Sequence, residues 1–332
     1  MPKRAVLLLA HGTPETVEQI PEYLRNVVSG RPLPQSVVEE IQHRYSLIGK
    51  SPLTDITMEQ ARLAEEELEA GGEETRVYVG MRNWKPYIPD VVRQMRADGV
   101  EEAAVICMAP QNSRTSVGLY RRAVEAEAGS ALRIDFTEGW ADHPLLAEGF
   151  ADRLRPLLRQ MSEEAGHPVP VLFTAHSVPL RTVQASLEAG STGEAIGGQP
   201  RLWPGAGVDP YAEDARRTAA EVAKRIENMP QWWFAFQSQG ASGGPWIGPS
   251  VEETLDSIAG EGVRTLILQP IGFLCDHVEI LFDVDILFTE YGNKLGINLK
   301  RPESLNASPF LVKAVADLAR KGLKRLHRRT VP

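Results

Sequence analysis

VPVLFTAHSVP (residues 169–179) is an apolar run that ends in Ala-His-Ser. The same design occurs near the N-terminus, where RAVLLLAHGTP (4–14) is an apolar run that ends in Ala-His-Gly. Short, continuously apolar runs followed by turn residues are typical of strands that are buried on both faces of a parallel sheet. The two histidines lie at positions 11 and 176, an offset of 165, which indicates that one structural plan occurs twice.

A longer pair of segments supports the repeat. Residues 77–111 contain a strand pattern, a loop with Trp and Pro, a helix pattern, Asp-Gly-Val and a second strand pattern. Residues 233–272 contain the same order with Glu-Gly-Val, and helical patterns such as 51–70 and 211–229 separate the strands. Strands that alternate with amphipathic helices predict parallel sheets covered by helices. We therefore predict an α/β protein of two similar doubly wound, Rossmann-like lobes with parallel sheets around a central cleft, and a C-terminal helix.

The predicted organisation has three parts. An N-terminal α/β lobe (1–155) precedes a C-terminal α/β lobe (156–308), and a C-terminal helix (309–332) packs back on the chain. The Gly-rich stretch 186–208 is interpreted as a surface excursion, with a loop over the cleft as the alternative.

Four segments directly follow predicted strands. They are His11, the 110–116 loop, His176 and the 271–285 segment. In doubly wound sheets, ligands bind beyond the carboxyl ends of the strands. We therefore expect these four segments to meet in one cleft.

Composition and motifs exclude several classes of protein. The 332 residues are 42% hydrophobic and 24% charged, which is typical of a soluble globular protein. The net charge of −8 argues against a surface that binds nucleic acid. No run approaches the ~20 apolar residues of a membrane span. No glycine motif that cradles phosphates is present, so we expect no nucleotide cofactor.

Cysteine usage and the N-terminus indicate the compartment. Cys107 and Cys275 are too few for a disulfide framework or a cysteine-ligated iron–sulfur cluster, so we expect neither. The first apolar run ends without a small-residue cleavage site, which favours a strand over a signal peptide. We therefore expect a cytoplasmic monomer. The basic stretch 320–332 is interpreted as a solvated helix end, with at most peripheral contact to an anionic membrane.

IGFLCDHVEILFDVD (271–285) places acidic side chains among large apolar ones. Carboxylates are costly to bury without a partner, so this pattern indicates a function. If the chain becomes helical after Asp276, Glu279 and Asp283 lie on one face, one turn apart. Asp276 is expected to be the N-cap of that helix, and His277 to have a structural or orienting role. An imidazole and a carboxylate that face each other across a cleft can bind a divalent metal weakly or transfer protons.

Four motifs, in order, make the chain resemble the ferrochelatases, the enzymes that insert ferrous iron into a porphyrin. AHSVP (175–179) resembles the segment with the family's active-site histidine, and GFLCDHVEILFDVD (272–285) resembles the segment with its essential glutamate. RYSLIGKSPL (44–53) and PWIGPSVEETL (245–255) resemble two further family motifs. The resemblance covers nearly the whole chain and implies Fe²⁺ as the substrate metal.

The resemblance also implies roles for the matching residues. His176 and Glu279 would be the catalytic pair, binding the metal and accepting protons from the pyrrole N–H groups. Asp283 would be a third metal-binding residue that continues the carboxylate line. The residues implied in binding the porphyrin are His11, Arg44, Tyr45 and Ser51. For Arg44 the implied contact is a bidentate one with a propionate, and the alternative is a surface ion pair.

Three positions depart from the family pattern. His11 stands where many bacterial relatives have tyrosine, and it is interpreted either as lying near bound iron or as replacing a packing ring. Gln111 stands where some relatives carry a histidine, which removes a metal role there. Leu287 interrupts an acidic row that some relatives continue, which puts the outer part of an iron path in doubt.

The predicted function is insertion of ferrous iron into coproporphyrin III or protoporphyrin IX in haem biosynthesis. The lack of a membrane-anchoring extension and the Ala109-Pro110 pair resemble soluble enzymes of the coproporphyrin type, which we favour. One alternative is a chelatase for another metal or tetrapyrrole, because a His/Glu pair does not determine the metal. The other is a non-catalytic carrier of porphyrin or haem. The sequence does not indicate the acceptor of the haem product.

Overall fold

The computed structural model describes residues 3–114, 116–183, 209–239 and 244–328. The stretch 186–208, predicted to be a surface excursion, lies outside the described residues. None of the helices in the described ranges is both long enough and apolar enough to cross a membrane.

The N-terminal half forms a four-stranded parallel sheet with the strand order β2-β1-β3-β4. Its strands are β1 (Arg4–Ala10), β2 (Arg76–Met81), β3 (Glu102–Cys107) and β4 (Arg133–Thr137). After a short 3₁₀ turn at Val17–Gln19, its helices are α1 (Ile20–Val27), α2 (Gln35–Ile48), α3 (Leu53–Ala70), α4 (Ile88–Ala97) and α5 (Val117–Ala128). Helices cover both faces of the sheet, which explains why the apolar run of β1 is buried throughout.

The C-terminal half repeats this plan with the strand order β6-β5-β7-β8, again all parallel. Its strands are β5 (Val171–His176), β6 (Trp232–Gln237), β7 (Thr265–Pro270) and β8 (Asn298–Lys300). Its helices are α6 (Pro144–Ala165), α7 (Tyr211–Ala223), α8 (Val251–Gly260), a π-helix (Glu279–Phe288), α9 (Thr289–Lys294) and α10 (Pro309–Arg328). The identical strand order confirms the predicted fold of two similar lobes.

One apolar core runs through both lobes. It joins Leu8 of β1, Phe150 of α6, Phe173 of β5 and Val315 of α10. Helix α6 packs against α10, α7 and β7. The C-terminal helix α10 packs on β3, β4, α3 and α6, so it completes the N-terminal lobe. The predicted boundary at residue 155 falls inside α6, and the domain bounds stay a prediction.

Helix α10 lies close to the first sheet at Gly322. A Cβ atom there would lie 2.9 Å from the Cβ of Ala104 in β3 and 3.2 Å from Oδ2 of Asp135. We expect Gly322→Val to lower the free energy of unfolding by about 1–3 kcal/mol, because the added methyl groups overpack this contact. Equilibrium urea denaturation measures the change.

The control is Lys324→Val, which places the same β-branched side chain on the exposed face of α10. It should change the free energy of unfolding by less than about 1 kcal/mol. Valine has a higher helix propensity than glycine, so propensity alone would stabilise Gly322→Val slightly. A Gly322→Val protein as stable as wild type would show that the contact with β3 accommodates the added methyl groups.

Candidate active site

The predicted convergence at the carboxyl ends of the strands is confirmed. A cavity of about 240 Å³ lies between the lobes, where β1, β3, β5 and β7 end. Its wall includes His11, Gln111, His176 and Glu279, one from each of the four predicted segments. It also includes Tyr45 from the end of α2.

His176 is the last residue of β5 and faces Glu279. Its Nε2 lies 4.0 Å from Oε1 of Glu279. Its Nδ1 lies 3.3 Å from the carbonyl oxygen of Gln237. Because a carbonyl oxygen only accepts, this contact places the proton of the neutral ring on Nδ1 and leaves the lone pair on Nε2. The Tyr211 hydroxyl donates to the backbone oxygen of His176 at 2.8 Å.

The segment with Glu279 packs directly on the end of β5. A Cβ atom on Gly272 would lie 2.9 Å from both Cα and Cβ of Ala175, so only glycine permits this approach. The motif PWIGPSVEETL (245–255) supports the residue after His176. Ser177 Oγ donates to the carbonyl of Ile247, which belongs to this motif, at 2.8 Å. The Trp246 ring lies 6.4 Å from that of His176.

Glu279 is held as a carboxylate. Burial raises its pKa. The charges of His176 and His277 and a hydrogen bond from His277 act in the opposite direction, and together they lower the pKa to about 2. Nε2 of His277 lies 3.6 Å from Oε2 of Glu279, and Nδ1 lies 3.1 Å from the Cys275 carbonyl. His277 thus has the position of the orienting residue that the sequence indicates.

Asp283 lies one turn further along the π-helix. Its Oδ2 accepts from Ser238 Oγ at 2.5 Å, and its Oδ1 lies 3.1 Å from Nη1 of Arg44. Burial, followed by the charge of Glu279, raises the pKa of Asp283 to about 6. In the described ranges, no three His, Cys, Asp or Glu side chains form a cluster that could hold a metal ion. A metal site of His176, Glu279 and Asp283 therefore stays a prediction.

The prediction that Asp276 is an N-cap is wrong. The helical turns begin after Asp276, and the His277 carbonyl accepts their first bonds from the backbone N–H groups of Ile280 and Leu281. The Asp276 carboxylate instead accepts from Ser304 Oγ at 2.7 Å and Asn306 Nδ2 at 2.9 Å, and it pairs with Arg301 at 3.1 Å. A charged partner and two donors outweigh a single helical N–H.

His11 follows β1 and is held by three neighbours. Asn83 Nδ2 lies 2.9 Å from its Nε2, while the Tyr23 hydroxyl and the Gly12 carbonyl lie 3.1 and 3.2 Å from its Nδ1. An amide nitrogen only donates, so Nε2 of His11 accepts and Nδ1 carries the proton. Burial lowers the pKa of His11 to about 4, so the ring is neutral near pH 7.

The residues predicted to bind the porphyrin differ in their surroundings. Tyr45 is buried, and its hydroxyl lies 2.8 Å from Thr13 Oγ1. Ser51 is 1% exposed in the cavity wall, and its Oγ has no hydrogen-bond partner among the described residues. Arg44 contacts Glu40 through Nε at 3.0 Å in addition to Asp283. The alternative interpretation of Arg44, a surface ion pair, thus applies to its contact with Glu40. It does not apply to its contact with Asp283, which is buried.

The departures from the family pattern have structural consequences. Gln111 is buried and donates to Thr218 Oγ1 at 3.2 Å and to the Ile271 carbonyl at 3.1 Å, which ties the two lobes together. Leu287 is 39% exposed. Two positions earlier on the π-helix, Asp285 pairs with Arg301 at 2.5 Å.

Three residues at the site were not predicted. Asn83 orients His11, Ser238 donates to Asp283, and Tyr211 fixes the backbone of His176. Asn83 closely follows β2, and Ser238 closely follows β6. Ligands bind beyond the carboxyl ends of parallel strands, so a search of the residues after every strand would have found both. Tyr211 begins a helix, and nothing in the local pattern marks it.

Comparisons with known proteins agree with one another. A family model described as ferrochelatase matches residues 3–323. Over 330 residues the chain is 57% identical to a curated ferrochelatase from Acidobacterium capsulatum, with 99% of this chain and 98% of the relative covered. It is 32% identical over 327 residues to a coproporphyrin III ferrochelatase from Halalkalibacterium halodurans, with 97% of each chain covered.

Solved structures share the fold. The structure of SirB from Bacillus subtilis with Fe³⁺ has a TM-score of 0.56 and 12% sequence identity, and the match covers 96% of this chain and 95% of that chain. A cobalt complex of the sirohydrochlorin chelatase SirB from Bacillus subtilis subspecies spizizenii has a TM-score of 0.54 and 10% identity, with 98% and 97% covered. At these identities the likeness shows the two-lobed fold alone.

Proposed function

Because the chain belongs to the ferrochelatase family, and thus inserts ferrous iron into a porphyrin in haem biosynthesis, we propose that His176 and Glu279 perform this step. The observation that carries the proposal is their arrangement in the cavity wall. An imidazole nitrogen with a free lone pair faces a carboxylate oxygen at 4.0 Å, between the two lobes.

The reaction replaces two pyrrole protons by one Fe²⁺ ion, which also loses its water ligands. Glu279 remains a carboxylate because its pKa is low, which suits binding of iron better than acceptance of a proton. Nε2 of His176 is the better proton acceptor, because the Gln237 carbonyl holds the ring proton on Nδ1 and leaves the Nε2 lone pair available. We therefore assign iron binding to Glu279 and proton acceptance to His176, which takes the two pyrrole protons one after the other on Nε2 and, being partly exposed, passes each to solvent. The same lone pair could ligate iron only while it holds no proton.

The walls of the cavity support binding of the macrocycle. Tyr45 and His11 present aromatic rings, and neutral His11 adds no charge beside the porphyrin face. The Ser51 hydroxyl, which lacks a hydrogen-bond partner among the described residues, can donate to a propionate, and Arg44 supplies a cation next to Tyr45 of the cavity wall. We propose that these two residues bind the same carboxylate.

Coproporphyrin III, with four propionates, is the proposed substrate. Relatives along the whole chain that are named coproporphyrin III ferrochelatases support this choice over protoporphyrin IX, which has two propionates. In an anaerobic assay with Fe²⁺, we expect kcat/KM for coproporphyrin III to exceed that for protoporphyrin IX by at least about tenfold, the value of one charge-assisted hydrogen bond. The porphyrin absorbance reports the conversion.

The same assay separates the alternatives. Faster conversion of protoporphyrin IX would contradict the proposed substrate while leaving the reaction intact. Tight binding of both rings without conversion would support a carrier, and conversion with Co²⁺ but not Fe²⁺ would support a chelatase for another metal.

Action in the cytoplasm as a monomer is also proposed.

A further inference from the structure

An ion pair joins the two lobes next to residues of the cavity wall. Arg44 lies on α2 of the N-terminal lobe and Asp283 on the π-helix of the C-terminal lobe, and these helices contact each other. Nη1 of Arg44 lies 3.1 Å from Oδ1 of Asp283. The guanidinium carbon also lies 5.0 Å from the centre of the Phe282 ring. Neither residue is part of the cavity wall, but each neighbours a residue that is: Tyr45 follows Arg44, and Glu279 precedes Asp283 by one turn.

Both oxygens of the Asp283 carboxylate are engaged. Arg44 takes Oδ1, and the Ser238 hydroxyl donates to Oδ2 at 2.5 Å. The Asp283 side chain is only 4% exposed, so solvent screens the guanidinium charge weakly. A divalent ion at this carboxylate would lie within a few ångströms of that charge and be repelled. Asp283 is therefore a poor metal ligand while Arg44 holds it.

Arg44 itself is held less firmly than Asp283. Its side chain is 26% exposed, and it gives Asp283 a single N–H group. Besides the Phe282 ring, it contacts half-exposed Glu40 in an i,i+4 pair. A porphyrin propionate that enters the cavity can accept two parallel N–H bonds from the guanidinium, and this bidentate geometry is stronger than the single contact. The same side chain thus has two competing carboxylate partners, one from the protein and one from the substrate.

We propose that Arg44 is a latch that keeps Asp283 from binding iron until a porphyrin propionate takes over the guanidinium. The inference rests on the proposed function, in which the substrate carries propionates and Asp283 belongs to the metal path. Porphyrin binding then precedes iron binding at Asp283. The empty protein does not collect divalent ions at this carboxylate, and the loaded protein presents it beside Glu279.

The test measures equilibrium binding of Co²⁺ to the full chain, empty and loaded with tin(IV) coproporphyrin III, whose ring nitrogen atoms are already occupied. Wild type should bind Co²⁺ about tenfold more tightly when loaded. Arg44→Gln should bind Co²⁺ about tenfold more tightly than wild type even when empty, with little further gain on loading. Arg44→Gln/Asp283→Asn should lose the gain of the single variant.

Two controls account for charge alone. Arg62→Gln removes the same charge from an exposed pair on neighbouring α3 and should leave Co²⁺ affinity within about twofold of wild type. In Asp283→Asn, any gain in Co²⁺ affinity on loading comes from the propionates themselves. This gain is subtracted from the gain that wild type shows on loading. By linkage, Co²⁺ must tighten binding of the tin porphyrin by the same factor in wild type.

Unchanged Co²⁺ affinity in empty Arg44→Gln, or a gain that persists in the double variant, would overturn the latch. Either result leaves the assignment of His176 and Glu279 untouched, because that assignment is tested by iron insertion in their own variants. Conversely, full activity of a Glu279 variant would overturn the proposed function whatever the Co²⁺ affinities of the Arg44 variants.

Discussion

Replacing Glu279 by glutamine is expected to lower kcat for iron insertion by about 10³-fold, within the range for loss of one essential catalytic group. The amide keeps the size of the side chain but removes its negative charge, and its NH2 group donates where a carboxylate oxygen accepts. A neutral amide is a weak ligand for Fe²⁺ and cannot offset its charge as water ligands leave. Anaerobic stopped-flow absorbance of the porphyrin measures the rate.

Porphyrin affinity should change little in this variant, because an uncharged ring face gains little from the carboxylate. Fluorescence titration with coproporphyrin III in the absence of metal checks this expectation. Glu290→Gln, the same substitution at an exposed position on neighbouring α9, is the matched control and should keep wild-type activity. A Glu279→Gln enzyme with kcat within threefold of wild type would remove Glu279 from the reaction.

Replacing His176 by alanine is the second substitution with a large expected effect, a loss of about 10³-fold in kcat/KM. The variant lacks the Nε2 lone pair that faces Glu279, so a pyrrole proton has no acceptor at this point. Porphyrin binding should stay within about tenfold of wild type. His176 is half-exposed at the end of β5, so its removal leaves the apolar core intact.

The control for this variant is His167→Ala, an exposed histidine in the loop after α6. Exogenous imidazole should restore part of the lost rate in His176→Ala at pH values where imidazole is neutral. Near-normal turnover without imidazole would contradict the assignment, and so would a loss fully explained by weaker porphyrin binding.

Much of the fold could be predicted because its signal is local. The apolar run of β1 and that of β5 each end at a histidine, and the chain between them contains helical patterns. Parallel strands with covering helices follow from such alternation, and the shared edge of the strands then brings His11 and His176 to one cavity. Glu279 was recognised by its motif, and its cavity position agrees with that prediction.

The errors and omissions concern side chains with distant partners. Asp276 has the sequence context of an N-cap, but Arg301, which lies 25 positions later, competes for its carboxylate and prevails. The segment after Asp276 is a π-helix rather than an α-helix, which no residue pattern used in the prediction distinguishes. The partner of Arg44 likewise could not be foreseen, because Asp283 lies 239 positions away on the other lobe.

By itself, the sequence of this protein determined the doubled α/β plan, the family, and the histidine and glutamate that face each other. Periodicity, turn residues and motifs carry this information because they act over a few neighbouring positions. Only the tertiary structure decided which partners the acidic side chains bind. Asp276 and Asp285 pair with Arg301, while Asp283 binds Arg44 and Ser238. A carboxylate binds whichever cation and donors the packed lobes bring within reach, and that competition takes place between parts of the chain that meet only on folding.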